Sequence, residues 1–473
     1  METEVREVIA ASRGCVIAPA GCGKTELIAR AVAAGGGRKQ LVLTHTHAGV
    51  RALLTRLKKV GAPSGSYSVE TICGWALKYA SAFPVLSGLG DGRPPGTPYD
   101  LVVQAAVNAL AKRSIRKLVQ TSYAGIYVDE YQDCVIGQHQ LVLALAEILP
   151  CRVFGDPMQG IFGFRDNPIV DWGRDVRPNF TELLRLATPW RWRNTGREEM
   201  GAWLLDVRAC LATGKALDLS ALPAGCLWTR NDIKSQLKVC FESMSRSGTI
   251  VAIHHMKNQC VSLTQRLRGG LTHMETVDCQ DLMAAAEQIE RFRGVGLIKV
   301  VIGFAAKCMT KVSTELKPLL VAFGKGKAPS AAFRKKYPQI VAACASLLEQ
   351  HDLTLIRVAL DAIGQLPGSV LYRRELWREM GRTLHQHQAV LGQSLRDTAW
   401  FLRDASRHYG RRIESRIVSR TLLVKGLEFD HAIVLDADQL DAQNLYVAMT
   451  RGASSLHIMS SSSQIKKAPP KGI

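Results

Sequence analysis

The stretch Ala18-Pro19-Ala20-Gly21-Cys22-Gly23-Lys24-Thr25 constrains the chain more than any other. It follows a short apolar run, Cys15 to Ala18, and precedes the helix-like Glu26-Leu27-Ile28-Ala29-Arg30-Ala31-Val32. Strand, glycine loop and helix in that order make a phosphate-binding P-loop. Small residues let backbone N–H groups close around an anion, and the helix N-terminus adds its positive end. In such a loop Lys24 reaches the terminal phosphates and the Thr25 hydroxyl holds magnesium. The first position is Ala where the general pattern has Gly, so the loop by itself points to phosphate and no further.

A second apolar run, Gly125-Ile126-Tyr127-Val128, ends on Asp129-Glu130-Tyr131-Gln132-Asp133. Adjacent carboxylates at a strand end suit one acid for magnesium and another to activate or orient water. Buried strand ends rarely carry acids for stability alone, because each would need a partner. A third strand and turn, Arg152 to Arg165, sets the polar Gln159 among Phe162, Phe164 and Arg165. Such aromatics are either core or a stacking platform for unpaired bases. Two strand ends, Thr44-His45-Thr46 and Thr71-Ile72, offer hydroxyl and imidazole groups for a backbone or a base. Pro189-Trp190-Arg191-Trp192-Arg193-Asn194 puts two tryptophans and two arginines side by side, which fits a purine ring next to a phosphate. Towards the end of the chain, Arg451 closes a short helical pattern; it either holds that helix or stabilises charge on a transferring phosphoryl group.

Composition narrows the partners. The formal net charge of +20 favours a polyanion, with nucleic acid the leading candidate. None of the 12 cysteines falls in a C-x-x-C pair, so neither zinc nor an iron–sulfur cluster is indicated. No apolar run approaches the roughly 18 residues of a membrane span, and the charged start is unlike a signal peptide, so a cytoplasmic location without membrane contact is expected.

Taken in order, these motifs resemble superfamily 1A helicases of the UvrD/Rep/PcrA type. The series runs through the P-loop, Thr44-x-Thr46-x-Ala48, Thr71-Ile72, Val128 to Asp133 and Gly155-Asp156-x-x-Gln159-x-Ile161-Phe162-x-Phe164-Arg165. It continues with Trp192-Arg193, Lys425-Gly426-Leu427-Glu428-Phe429 and Leu445 to Arg451. The resemblance implies an α/β fold of two RecA-like lobes, parallel sheets flanked by helices, with small helical inserts. Lobe 1A would take residues 1–186 with an insert at about 76–122. Lobe 2A would take 187–280 and 405–473, and a mostly helical insert 281–404.

It further implies ATP and Mg2+ as cofactors and single-stranded or tailed DNA as partner. Ala20, Gly21, Cys22, Gly23, Lys24 and Thr25 would hold phosphate, and Thr25 and Asp129 magnesium. Glu130 would be the base, Gln159 a phosphate sensor, Trp192 a stacking surface for adenine, and Glu428 a ribose contact. Arg193 and Arg451 would complete the site, while Thr44, His45, Thr71, Phe162, Phe164 and Arg165 would meet the strand. The implied activity is ATP-dependent DNA unwinding or translocation, 3′ to 5′, in repair, replication or antiviral defence. Two alternatives stand beside it: a nucleotide-gated DNA-end sensor acting with a partner, and an RNA-directed superfamily 1 helicase. The short inserts are also similar to those of compact UvrD-like chains that act with a nuclease or defence partner, such as the B subunit of Gabija systems. Departures from the family are Thr3-Glu4-Val5 where an adenine-reading glutamine is usual, Glu26 after the P-loop threonine, His45 for an aromatic, and Leu422 for a histidine.

Overall fold

A computed structural model describes residues 2–89, 99–163, 168–276, 279–387, 394–409 and 413–470, and for 404–409 the backbone only. The chain divides into two compact units. The first is Met1–Arg230 with Val424–Ala432 and Asp436–Ile473; the second is Asn231–Leu423 with Ile433–Leu435.

The first unit is built on six strands: β1 (Arg13–Ile17), β2 (Gln40–Thr44), β3 (Tyr67–Thr71), β4 (Gly125–Val128), β5 (Cys151–Gly155) and β6 (Thr181–Arg185). They lie in the order β3-β2-β4-β5-β1-β6, every pair parallel. Strands β2, β4 and β5 are buried along their whole length, as a parallel sheet covered on both faces requires, and their sequences are near-continuous apolar runs. Helices α1 (Glu2–Ala10), α2 (Lys24–Ala34) and α3 (His47–Lys59) belong to the same unit. Leu27, Ile28, Ala31 and Val32 of α2 pack with Leu53 and Leu57 of α3 over Val16, Val42 and Phe154. The opposite core gathers Trp75, Val102, Ala106, Val119 and Leu141 against Cys15, Leu41, Ile126 and Val153. Because the strands are parallel, the segments after β1, β2, β4 and β5 all emerge at one edge, where α/β sheets bind ligands.

Two short strands, β7 (Leu217–Asp218) and β14 (Gln464–Ile465), pair antiparallel in the same unit. The chain also contains a second set of parallel strands. In the first unit β13 (Gly452–Ser460) runs parallel to β8 (Cys226–Arg230). In the second unit β9 (Ile250–Ile253), β10 (Thr272–His273) and β11 (Arg416–Ser419) form parallel pairs. The sequence of β12 (Phe429–Val434) is divided between the two. Two parallel sheets flanked by helices are the fold class expected from the sequence.

Among the described residues between Gln280 and Tyr409, the second unit is mostly helical. Leu282, Ile298, Val301, Leu347, Ile356 and Met380 form one apolar core there. Beside it lies a buried ion network. Arg373 donates to both oxygens of the fully buried Glu275 at 2.6 and 2.7 Å and to Asp281 at 2.8 Å. Arg403 donates to Glu375 at 2.8 Å, and Glu375 in turn accepts the backbone N–H of Glu275 at 3.1 Å. Removing one member strands a buried charge, which costs more than an intact pair contributes. Arg373→Ala should therefore destabilise this unit by about 3–5 kcal/mol. Amide exchange in the helices Gln280–Arg291 and Arg374–His387 should speed up accordingly; unchanged exchange would show that the network adds nothing.

Candidate active site

The four segments at the sheet edge enclose a cavity of about 1660 Å³, lined by the P-loop and by residues reached from far along the sequence. Gly21 and Gly23 have φ of +71° and +88°, a region that side-chain-bearing residues rarely adopt, and Gly23 thereby turns the chain into α2. A Cβ on Gly21 would lie 2.7 Å from the Trp192 ring and 2.9 Å from the Arg191 Cβ. The loop therefore packs against Trp190–Arg193, with the Arg191 N–H donating to the Gly21 carbonyl at 3.1 Å. On another side the Ala20 N–H donates to the Tyr446 hydroxyl at 3.2 Å.

Lys24 stands at the centre. Its ammonium is 3.0 Å from Asp129 and 2.5 Å from Glu130. Glu130 is held in turn: its φ of +56° is left-handed, and its second oxygen accepts the Gln132 amide at 2.5 Å. A left-handed non-glycine residue persists only where its surroundings fix it, and such strain gathers at working sites. Burial would raise the Glu130 pKa, but the charges of Lys24 and Lys425 outweigh it and bring it down to about 2. Burial carries Asp133 up to about 7 against the pull of Lys425. Thr25 and Asp129 line the same cavity, a pair of hard oxygen donors suited to magnesium. The donor set fits the ion, and the glycines leave room for a phosphate.

Gln159 is buried in the cavity wall, its amide donating to Asp156 at 3.0 Å, while Asp156 is held by Arg208 at 2.6 Å. Arg451 also lines the cavity, yet its donors go to the carbonyls of Val447 and Leu427 at 2.8 and 2.9 Å and to the Thr450 hydroxyl at 2.9 Å. Burial and the neighbouring Arg191 lower its pKa to about 9. Glu428 reaches the cavity and pairs with Arg191 at 2.5 Å.

Trp192 and Arg193 stand elsewhere than the sequence suggests. Trp192 is 1% exposed, donates its indole N–H to the Gly452 carbonyl at 2.9 Å, and does not line the cavity. Arg193 points to Glu198 at 3.2 Å and stacks 5.5 Å from the Trp190 ring. Their neighbours Trp190 and Arg191 line the cavity instead. Arg191 donates to the Thr450 carbonyl at 2.7 Å while its buried Nε has no hydrogen-bond partner. An orphaned N–H beside a P-loop is a donor in want of a ligand oxygen. The alternating Trp-Arg-Trp-Arg pattern held this signal, but only the facing of one helical turn decides between its halves.

Among the expected strand residues, Thr44, His45 and Phe162 line the same cavity. Burial and the charge of Lys425 bring the His45 pKa down to about 4, so its ring is neutral, with Nε2 3.4 Å from the Cys134 thiol. Thr71 caps the helix Ile72–Ala82, its hydroxyl accepting the Gly74 N–H at 3.0 Å. Phe164 and Arg165 lie outside the described residues. Lys425, to which no role was assigned, is buried and bonded to Asp133.

A phosphate loop on a parallel sheet, with a lysine, a hydroxyl and paired carboxylates converging on it, defines a P-loop nucleoside triphosphatase. Residues 98–170 match the UvrD/REP helicase N-terminal domain family. The match covers that segment alone; the motif series that extends beyond it resembles the superfamily 1 helicases of the UvrD/Rep-like kind. No curated protein matches the chain. Solved structures similar to it include the Pif1 helicase from Candida albicans (12% identity, TM-score 0.31, covering 56% of this chain and 52% of that one). The Bacteroides sp. Pif1 in complex with ADP-AlF4 is similar at 13% identity and TM-score 0.31, covering 57% of each chain. The arterivirus nonstructural protein 10 helicase with DNA is similar at 16% identity and TM-score 0.28, covering 54% and 50%. The chain thus spans about half the length of these structures. Among the described residues no helix is long and apolar enough to cross a membrane.

The buried placement of Trp192 predicts that Trp192→Ala destabilises the first unit by about 3–5 kcal/mol, whereas Trp190→Ala changes its stability by no more than about 0.5 kcal/mol. Thermal unfolding of the two variants compares them; equal losses would contradict the assignment of faces.

Proposed function

We propose that the chain is an ATP-dependent DNA helicase or translocase that moves along single-stranded or tailed DNA, 3′ to 5′ as the family resemblance implies. The observation that carries this reading is Lys24 held between Asp129 and Glu130 at the mouth of a glycine loop. A nucleotide phosphate would take the ammonium from the two carboxylates. Asp129 and Thr25 would hold magnesium, an ion that would neutralise phosphate charge and orient the terminal group. Glu130, ionised and pinned by Gln132, accepts the proton of the attacking water. Gln159 faces the terminal phosphate, and Arg191, with its unpaired Nε, and Arg451 supply positive charge from the later part of the chain. Trp190 offers a ring to the base in place of Trp192. Thr44, His45 and Phe162 meet the strand. In this reading the two RecA-like lobes keep the limits inferred from the sequence, 1–186 and 187–280 with 405–473, and the location is cytoplasmic. The comparisons lend no support to a nuclease or defence partner.

The test is ATP hydrolysis by the full chain with single-stranded DNA of increasing length. A translocase gives a rate that grows with strand length; a length-independent response selects the end-sensor reading, and preference for RNA of equal sequence selects the RNA-directed one. Glu130→Gln should lower turnover by at least about a hundredfold while retaining nucleotide binding. Near-normal turnover would remove Glu130 from its role. Trp190→Ala should weaken nucleotide binding by about 1–3 kcal/mol, the usual worth of an aromatic stacked on a base; unchanged affinity would leave the ring without one.

A further inference from the structure

Arg208 belongs to none of the sequence motifs and does not line the cavity, yet it is buried against a carboxylate one step behind the cavity wall. It stands on the helix Glu198–Thr213, where Met200, Leu204, Val207 and Leu211 form the buried stripe. A residue four places after Leu204 lies beside that stripe, so packing fixes the helix that carries the guanidinium. The side chains of Arg208 and Asp156 are 11% and 1% exposed.

The pair divides the carboxylate unevenly. Arg208 Nε and Nη2 both donate to Asp156 Oδ1, at 3.0 and 2.6 Å. A guanidinium commonly straddles both oxygens of its partner with two parallel bonds. Here Oδ1 also accepts the Met158 N–H at 3.1 Å, and Oδ2 is kept for the Gln159 side chain, whose Nε2 donates to it at 3.0 Å. The Asp156 backbone is fixed as well, its N–H donating to the Gln132 side-chain oxygen at 3.1 Å.

That division sets the direction of the Gln159 amide. A glutamine amide has a donor end and an acceptor end, and a carboxylate only accepts. Oδ2 therefore selects the nitrogen, which leaves the Gln159 oxygen and the second Nε2 proton to the cavity that this residue lines. Deprived of the guanidinium, the Asp156 charge would stand buried without its cation, a state that proteins escape by neutralising the group or moving it. Either change ends the selection and lets the amide turn over. Stability alone gives no reason for such a pair, since apolar side chains of similar volume serve as well or better in its place.

We infer that Arg208 is a positioning residue for hydrolysis: by placing both of its donors on Asp156 Oδ1, it leaves Oδ2 to hold the Gln159 amide in one orientation toward the terminal phosphate. The inference rests on the helicase reading above. It deepens that reading by giving a helix outside the motif series control over a group that faces the nucleotide.

The experiment is steady-state ATP hydrolysis by the full chain with magnesium and saturating oligothymidylate, for Arg208→Met, Gln159→Ala and the two combined. Gln159→Ala should lower kcat by about a hundredfold, the usual loss for one polar group acting on transition-state charge. Arg208→Met should lower kcat by about tenfold and leave KM within about twofold, because the interaction it disturbs belongs to the transition state. The combined variant should be no slower than Gln159→Ala, since residues acting as one unit are not additive. A merely structural loss would multiply with that of Gln159→Ala instead. Arg208→Lys should restore part of kcat, as an ammonium keeps the charge without the fork. Should Arg208→Met fail to fold, Asp156→Asn decides. Its amide would turn its oxygen to Arg208 and its nitrogen to Gln159, so kcat should fall, with no further loss on adding Gln159→Ala. A wild-type kcat in Arg208→Met or Asp156→Asn, or losses that multiply with Gln159→Ala, overturns the proposal. A wild-type kcat in Gln159→Ala overturns it while leaving the helicase reading in place. A wild-type chain that hydrolyses no ATP with any strand overturns both.

Discussion

The Lys24 ammonium, shared between Asp129 and Glu130, is the contact on which the rest of the first unit depends. The Asp129 carboxylate is buried and Lys24 and Glu130 are partly so, and charges withdrawn from water in one cleft are tolerable only when each has a partner. The sheet supplies those partners by topology. Strands β1 and β4 run parallel and deliver Lys24 and the two carboxylates at the same edge. Glu130 adopts a left-handed backbone at that point, so the pairing is set by local strain as well as by charge. A site assembled this way is already shaped for an anion: the lysine that neutralises the acids is the one a phosphate would claim.

Much of this was legible in the sequence, and what was not has a physical reason. The P-loop and the carboxylate pair could be read because their chemistry fixes both residue type and spacing, and the apolar runs before them could be read as buried parallel strands. Gln159, Glu428 and Arg451 were expected at the nucleotide and Thr44, His45 and Phe162 at the strand, and one cavity takes in members of both groups. The Trp190–Arg193 turn was the hard case. Residues two apart on a helix face opposite ways, so Trp190 and Trp192 are chemically equivalent in sequence and opposite in space. The buried one fits against Gly21, where a side chain would clash. Thr71 was read for its hydroxyl, but a threonine before a helix is also an N-cap, and here capping uses it. Lys425 was read as part of the Lys425 to Phe429 motif but without a role, because a lysine beside glycine normally sits in solvent; only the fold buries its side chain against Asp133.

The second unit shows a different use of charge. Its helices close over an apolar core, yet Arg373, Glu275, Glu375 and Arg403 sit buried and paired beside it. Basic residues that the composition marks as candidates for a polyanion are, at these two positions, committed to carboxylates inside the unit. Net charge alone therefore overstates how much positive surface is available to nucleic acid.

The central claim is that the Lys24 pairing stands in the place of a phosphate. A crystal structure of the chain with a non-hydrolysable ATP analogue and magnesium tests it directly. The account predicts that Lys24 Nζ leaves Glu130 and lies on the terminal phosphates, with Asp129 and Thr25 turned to the ion. A nucleotide bound elsewhere, with Lys24 still between Asp129 and Glu130, would contradict it.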